Sequence, residues 1–171
     1  MPKLDTFIGI GLGDVDLAPV AAAPKLSTFS LDDNNSECDI SPIANAQRLK
    51  VLGVANVKPD EFAAVVQAIR KTLQKAYIYD MAISPALCEA IGACGKLSAL
   101  ELVNVTNVQF PSLFQAPAVS SLVMRKLEDG LDFSALSNLK SLTDVTISDV
   151  RDARFSNLGT MMLVSPTMEP A

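Results

Sequence analysis

Three glycines near the N-terminus, Gly9, Gly11 and Gly13 in GIGLGDV, invite comparison with a loop that cradles a phosphate. The dinucleotide pattern G-x-G-x-x-G fails because its third glycine falls on Asp14, and no Gly-Lys-Ser/Thr follows. A loosened first repeat explains them better. Further on, Asp32, Asp33, Glu37 and Asp39 crowd LDDNNSECD, a set that suits a hard cation. The glycine that a calcium loop needs for its sharp turn is missing, so a solvated acidic loop is the simpler reading. Cys88 and Cys94 stand six apart without a second pair, short of a zinc ligand set. The carboxylates Glu128, Asp129, Asp149 and Asp152 fall in connections with no pocket implied. The chain has no histidine, so no Ser–His–Asp triad, Cys–His pair or HExxH site can be built. A non-catalytic chain is expected, with no catalytic residue, no cofactor and no metal.

Composition bounds the partners. The 14 basic and 19 acidic side chains leave a net charge of −5, without the Lys/Arg excess that nucleic acid or an anionic membrane attracts. A hydrophobic fraction of 49% over 171 residues is enough for one domain with a substantial core. Cys38, Cys88 and Cys94 are an odd number and cannot form a complete disulfide framework within the chain, which fits a reducing compartment. The apolar N-terminal stretch carries Asp5, Asp14 and Asp16 and no basic n-region, so neither a signal peptide nor a membrane span is expected. A cytoplasmic location is favoured. Asn34-Asn35-Ser36 and Asn104-Val105-Thr106 match the glycosylation acceptor pattern, which matters only in a secreted chain.

What organises these residues is a repeat. LSALEL at 97–102 reads L-x-x-L-x-L, and the template recurs from Leu4, Leu26, Leu49, Leu73, Val119 and Leu142 at steps of 22 to 24 residues. A degenerate copy begins at Met161. Three residues beyond each stretch stand Leu12, Asn34, Val57, Met81, Val105, Leu127 and Val150, apolar except for Asn34. Six residues before the later starts stand Val20, Ile43, Gln67, Ile91, Leu113, Leu136 and Phe155, with apolar Val66 beside Gln67. A slip of one residue would turn these side chains to the opposite face of a strand, so their agreement fixes the register.

On these residues the chain resembles the leucine-rich repeat family, whose repeats run roughly 20–29 residues around L-x-x-L-x-L-x-x-N/C-x-L. The resemblance covers residues 4 to 165 or so. It departs at the ninth position, where the family's Asn or Cys is absent except for Asn34, so packing of Val57, Met81, Val105, Leu127 and Val150 is expected to hold the turn. The nearest look is the long-repeat, ribonuclease-inhibitor-like type, because two connections read as helices. The resemblance implies an α/β solenoid, with a curved parallel sheet on the concave face and helical or irregular segments on the convex face. One domain spanning 1–171, of seven to eight repeats, is expected. It also implies a protein-binding module that recognises a partner on its concave sheet. Two relatives of that reading are the substrate-recognition part of a larger F-box-like adaptor and a secreted or effector-type repeat protein.

The two helices are legible residue by residue. Pro59, Asp60 and Glu61 open PDEFAAVVQAIRKT, Phe62, Val65, Val66 and Ile69 form its apolar stripe, and Arg70 and Lys71 suit its last turn. Ser84 caps SPALCEAIGACG, Leu87, Cys88 and Ile91 face inward, and Gly95 is expected to terminate it. NVQFPSLFQAP and EDGLDFSALSNL are less regular, with no more than a short turn of helix.

The same register sorts the strands. Leu52, Ala76, Leu100, Leu122 and Val145 fall in one inward row, and Val54, Ile78, Leu102, Met124 and Ile147 in another. The outward rows are mostly small or polar. Tyr77 and Tyr79, the chain's two tyrosines, lie together on the central strand. Lys75, Tyr77, Tyr79, Glu101 and Arg125 are the candidate contact patch, since Tyr and Arg combine large rigid area with a polar handle. Terminal repeats normally need polar caps, and Leu4 opens a repeat with no capping helix before it. Self-association end to end through uncapped repeats is therefore a further expectation.

Overall fold

The computed structural model describes residues 1–32 and 38–154. Asp33, Asn34, Glu37, the first acceptor tripeptide, Phe155 and the degenerate repeat at Met161 lie outside the described residues. Along the chain come β1 (Thr6–Ile10), helix α1 (Ala18–Ala21), β2 (Thr28–Asp32), a 3-10 turn at Ser41–Asn45 and β3 (Val51–Ala55). They are followed by α2 (Pro59–Ile69), β4 (Lys75–Ala82), α3 (Pro85–Gly92), β5 (Ala99–Thr106), α4 (Phe110–Leu113), β6 (Ser121–Arg125), a 3-10 turn at Ser134–Asn138 and β7 (Asp144–Ser148). Among the described residues the strands form one open seven-stranded sheet in sequence order, with parallel neighbours throughout. Each strand begins two residues into its repeat.

The register is the expected one. Leu52 pairs with Ala76, Ala76 with Leu100, Leu100 with Leu122 and Leu122 with Val145. This row and its companion through Val54, Ile78, Leu102 and Met124 are buried, with Val145 and Ile147 half-buried where the described repeats end. Val20, Ile43, Val66, Ile91, Leu113 and Leu136 meet them from the return segments, closing one continuous core. Phe110 stacks on Phe114 at 4.9 Å and meets Phe133 at 4.8 Å, so aromatic rings fill the convex layer where no full helix does. No helix of the described residues is long and apolar enough to cross a membrane.

The two long helices form for the reasons their sequences give, with corrections at their C-terminal ends. Ser84 caps α3 by accepting the Leu87 N–H at 3.3 Å. Gly95 does not end that helix; α3 stops at Gly92 with Ala93 as its right-handed C-cap. Gly92 is required for another reason, because a methyl group there would come within 2.2 Å of the Ser112 carbonyl oxygen. Arg70 is the C-cap of α2, one residue past Ile69, and its Nη1 donates to the Gln67 carbonyl at 3.2 Å. The shorter segments start by a common device. Asp16, Asp39 and Asp132 each accept the backbone N–H two residues on, at 2.9, 2.8 and 2.8 Å. Asp39, read from sequence as part of an acidic cluster, is thus a turn-former.

Two further rows hold neighbouring repeats together. The second-position carbonyl of one repeat accepts two N–H groups of the next: Ser98 C=O accepts from Ser120 and Ser121, and Ser120 C=O from Thr143 and Asp144. Hydroxyls add to this ladder, with Ser98 Oγ donating to Gln74 C=O at 3.1 Å, Ser120 Oγ to Ser98 C=O at 3.2 Å and Thr143 Oγ1 to Ser120 C=O at 3.1 Å. The eighth position of each described repeat whose exit is seen is left-handed: Gly11 (φ 61°), Asn56 (51°), Asp80 (53°), Asn104 (52°), Lys126 (51°) and Asp149 (56°). The ninth-position residues Val57, Met81, Val105 and Leu127 are buried as expected, but the bend itself is made one residue earlier.

Candidate functional site

The residues that alternate away from the core along each strand make up the open face of the sheet. On β4 these are Lys75, Tyr77 and Tyr79; Lys75 is exposed and both tyrosines are half-buried. Strand pairing sets Glu101 of β5 beside Tyr77, and Val103 beside Tyr79. Arg125 of β6 stands next to Val103, hence two strands from Tyr79 in the same row. At about 4.8 Å per strand step, that distance is within reach of a guanidinium on its flexible stem. The five sequence-derived candidates therefore share one surface.

The other side of the tyrosines is low. Gly53 and Ala55 of β3 pair with Tyr77 and Tyr79 and are buried although they project from the open face. Larger neighbours on β2 and β4 cover them. Ser30 Oγ stands 2.8 Å from where a methyl group on Gly53 would sit, and donates to Asp32 Oδ1 at 3.3 Å. The small pair on β3 was not singled out in the sequence, and it sets residues without bulk beside the tyrosines in both rows.

Electrostatics follows from this packing. Burial first, then the nearby Glu101, Asp32 and Tyr77, push the Tyr79 phenol up to about 12, with Arg125 pulling the other way. The hydroxyl keeps its proton at any physiological pH and remains available as a donor. The patch offers a phenol, a carboxylate, an ammonium and a guanidinium, which can hydrogen-bond and pair with a partner's groups. The buried thiols are not nucleophiles: burial pushes Cys94 up to about 11, and raises Cys88 and Cys38 above the ordinary thiol value.

The remaining sequence candidates are placed elsewhere. Gly11 is the left-handed residue after β1, while Gly9 packs against Leu12 and Leu31. Asn104 of the second acceptor tripeptide donates its Nδ2 to Asp80 Oδ1 at 2.7 Å, so the nitrogen that a glycan would take is already engaged. Among the described residues no group of three or more His, Cys, Asp or Glu is placed to hold a metal ion. The row of Ser98, Ser120 and Thr143 uses its hydroxyls on neighbouring carbonyls.

An open parallel sheet of successive strands, backed by short helices and turns at a period of 22 to 24 residues, is the leucine-rich repeat solenoid. Solved structures agree. Internalin C2 of Listeria monocytogenes matches with a TM-score of 0.64 at 21% identity, over 94% of this chain and 70% of that one. The Arabidopsis receptor kinase HAESA, solved with the peptide hormone IDA and the co-receptor SERK1, matches with a TM-score of 0.54 at 17% identity. That match covers 85% of this chain and 28% of the receptor kinase chain. By sequence, no protein-family profile and no curated protein matches.

Proposed function

We propose that this chain is a non-catalytic recognition module that binds a protein partner on the concave face of its sheet, around Tyr77 and Tyr79. The observation that carries this reading is that the chain's two tyrosines, Tyr77 paired with Glu101 and Tyr79 two strands from Arg125 in the same row, lie together on a strand face that no other element covers among the described residues. Phenols and a guanidinium at the centre of an open face match the composition of binding hot spots. The sharing of the fold with HAESA, itself solved with a peptide hormone, supports a peptide or protein as the class of partner. Lys75 and Glu101 set the polar rim and, with Arg125, tune which charges a partner presents.

The test is affinity capture from extract of the source cells with wild type beside Tyr77→Ala/Tyr79→Ala. The half-buried rings are not part of the inward rows, so the double variant keeps its circular dichroism spectrum and loses the proteins that wild type enriches. A folded double variant that retrieves the same partners at the same level sinks the proposal. Lys75→Glu, on the rim, should change association rate and salt dependence more than it changes dissociation.

A further inference from the structure

Among the described residues the large exposed apolar side chains are Met1, Ile8, Ile10 and Val15, the last three in the first repeat. Ile8 is 60% and Ile10 67% exposed, and both project from β1, the outermost strand of the sheet. Natural edge strands are normally guarded by lysine, proline, a bulge or brevity. The sequence of β1, TFIGI, has no charge and no proline, whereas the strand at the other end of the sheet, DVTIS, starts on Asp144 and turns Thr146 and Ser148 outward.

The backbone of β1 is also set for pairing. Asp5 C=O accepts from Ser27 and Thr28, and Gly11 N–H donates to Asp32 C=O. Residues of a parallel strand alternate between bonding the neighbour and facing away. Phe7 and Gly9 therefore use their groups on β2, consistent with Thr6, Ile8 and Ile10 being the residues aligned with Thr28, Ser30 and Asp32. Thr6, Ile8 and Ile10 turn their N–H and C=O groups to the open side.

We propose that β1 pairs antiparallel with β1 of a second copy of this chain, about a two-fold axis through Ile8. This goes beyond the concave-face reading and does not depend on it. In that register Ile8 faces Ile8, and Thr6 faces Ile10 in both directions, so every pair consists of residues whose backbone groups point outward and each pair exchanges both bonds. On the concave side the isoleucines of the two copies become one apolar strip. On the core side Phe7, which stacks on Phe29 at 5.4 Å, lies opposite Gly9 of the second copy, where Leu12 and Leu31 cover the glycine. A one-residue slip would set inward-bonded residues against outward-bonded ones and lose the ladder. The strand is thus complementary to itself, which favours a second copy over a foreign strand.

Sedimentation velocity of the full chain tests this, at concentrations up to about 1 mM, the affinity range open to a small interface. Wild type should shift with concentration from 18.1 kDa toward twice that mass. Ile8→Pro removes an outward N–H and leaves the β1–β2 ladder intact, as edge positions tolerate; it should stay monomeric with an unchanged circular dichroism spectrum. Ile8→Cys should cross-link to itself on oxidation, since facing residues of an antiparallel bonded pair stand about 5.5 Å apart. Ile10→Cys, which faces Thr6, should not. The Tyr77→Ala/Tyr79→Ala variant should associate like wild type, which separates this contact from the concave patch. Wild type that remains a monomer throughout, a folded Ile8→Pro that associates as before, or equal cross-linking by the two cysteine variants would each overturn the proposal. The cysteine pair decides even if Ile8→Pro fails to fold.

Discussion

The eighth residue of each repeat decides how the chain leaves its strand. A left-handed backbone costs an ordinary L-residue roughly 1–2 kcal/mol, while Gly escapes that penalty and Asn or Asp adopt it more readily through local hydrogen bonds. Gly11, Asn56, Asp80, Asn104 and Asp149 obey that rule, and Asn104 also donates to Asp80, tying one bend to the next. The pattern is legible in the sequence, where Asp33 falls at the same offset, one residue before the family's ninth-position Asn. Lys126 is the exception at φ 51°, with an exposed side chain. Lys126→Gly should therefore raise stability by up to about 1 kcal/mol, and Lys126→Val should lower it by about 1–2 kcal/mol, by urea unfolding. Equal midpoints for the two variants would contradict the strain. The candidate tyrosines were legible for a simpler reason: alternation along a strand has a period of two, so knowing Ile78 to be inward placed Tyr77 and Tyr79 outward.

At the scale of elements, sequence reading succeeded where a segment carries its own period. The stripe of α2 and the Ser84 cap of α3 are local signals, and both are in the structure. It failed at Gly92 and Gly95, because what demands a glycine at 92 is the Ser112 carbonyl of the next repeat, which no local window contains. Gly92→Ala should destabilise by about 1–3 kcal/mol through overpacking, while Gly95→Ala should not. The short segments lean instead on aspartate. The Ser41 hydroxyl and N–H hold the Asp39 carboxyl below the ordinary carboxylate range, and the Ser134 N–H and hydroxyl do the same for Asp132. A carboxyl depressed in the folded state adds stability that is fully present above its unfolded value near pH 4 and is lost as pH falls through the folded value. Asp39→Ala/Asp132→Ala should be less stable than wild type at pH 7 and lose less of its stability between about pH 4 and pH 2. An unchanged acid limb would show that the two turns do not carry this linkage.

Over the whole molecule, each repeat completes its neighbours and nothing else does. Leu100 is 2% exposed in the middle of an inward row, with Ala76 on one side and Leu122 on the other. A carboxylate there has no partner, so Leu100→Asp should abolish the cooperative thermal transition; a melt like that of wild type would contradict the register. The fold as a whole was legible because the same weak signal recurs repeat after repeat, and recurrence at a fixed step cannot arise from one strand alone. The depth of the face was legible only through that recurrence, which sets Gly53 beside Tyr77 and Ala55 beside Tyr79 across neighbouring repeats. The chain has no tryptophan and only two tyrosines, both on β4. Excited at wavelengths where phenylalanine does not absorb, its emission therefore arises from that one strand. The protein carries its own optical probe at the centre of the open face, dim enough that the tryptophans of an arriving partner would be read against an almost dark background.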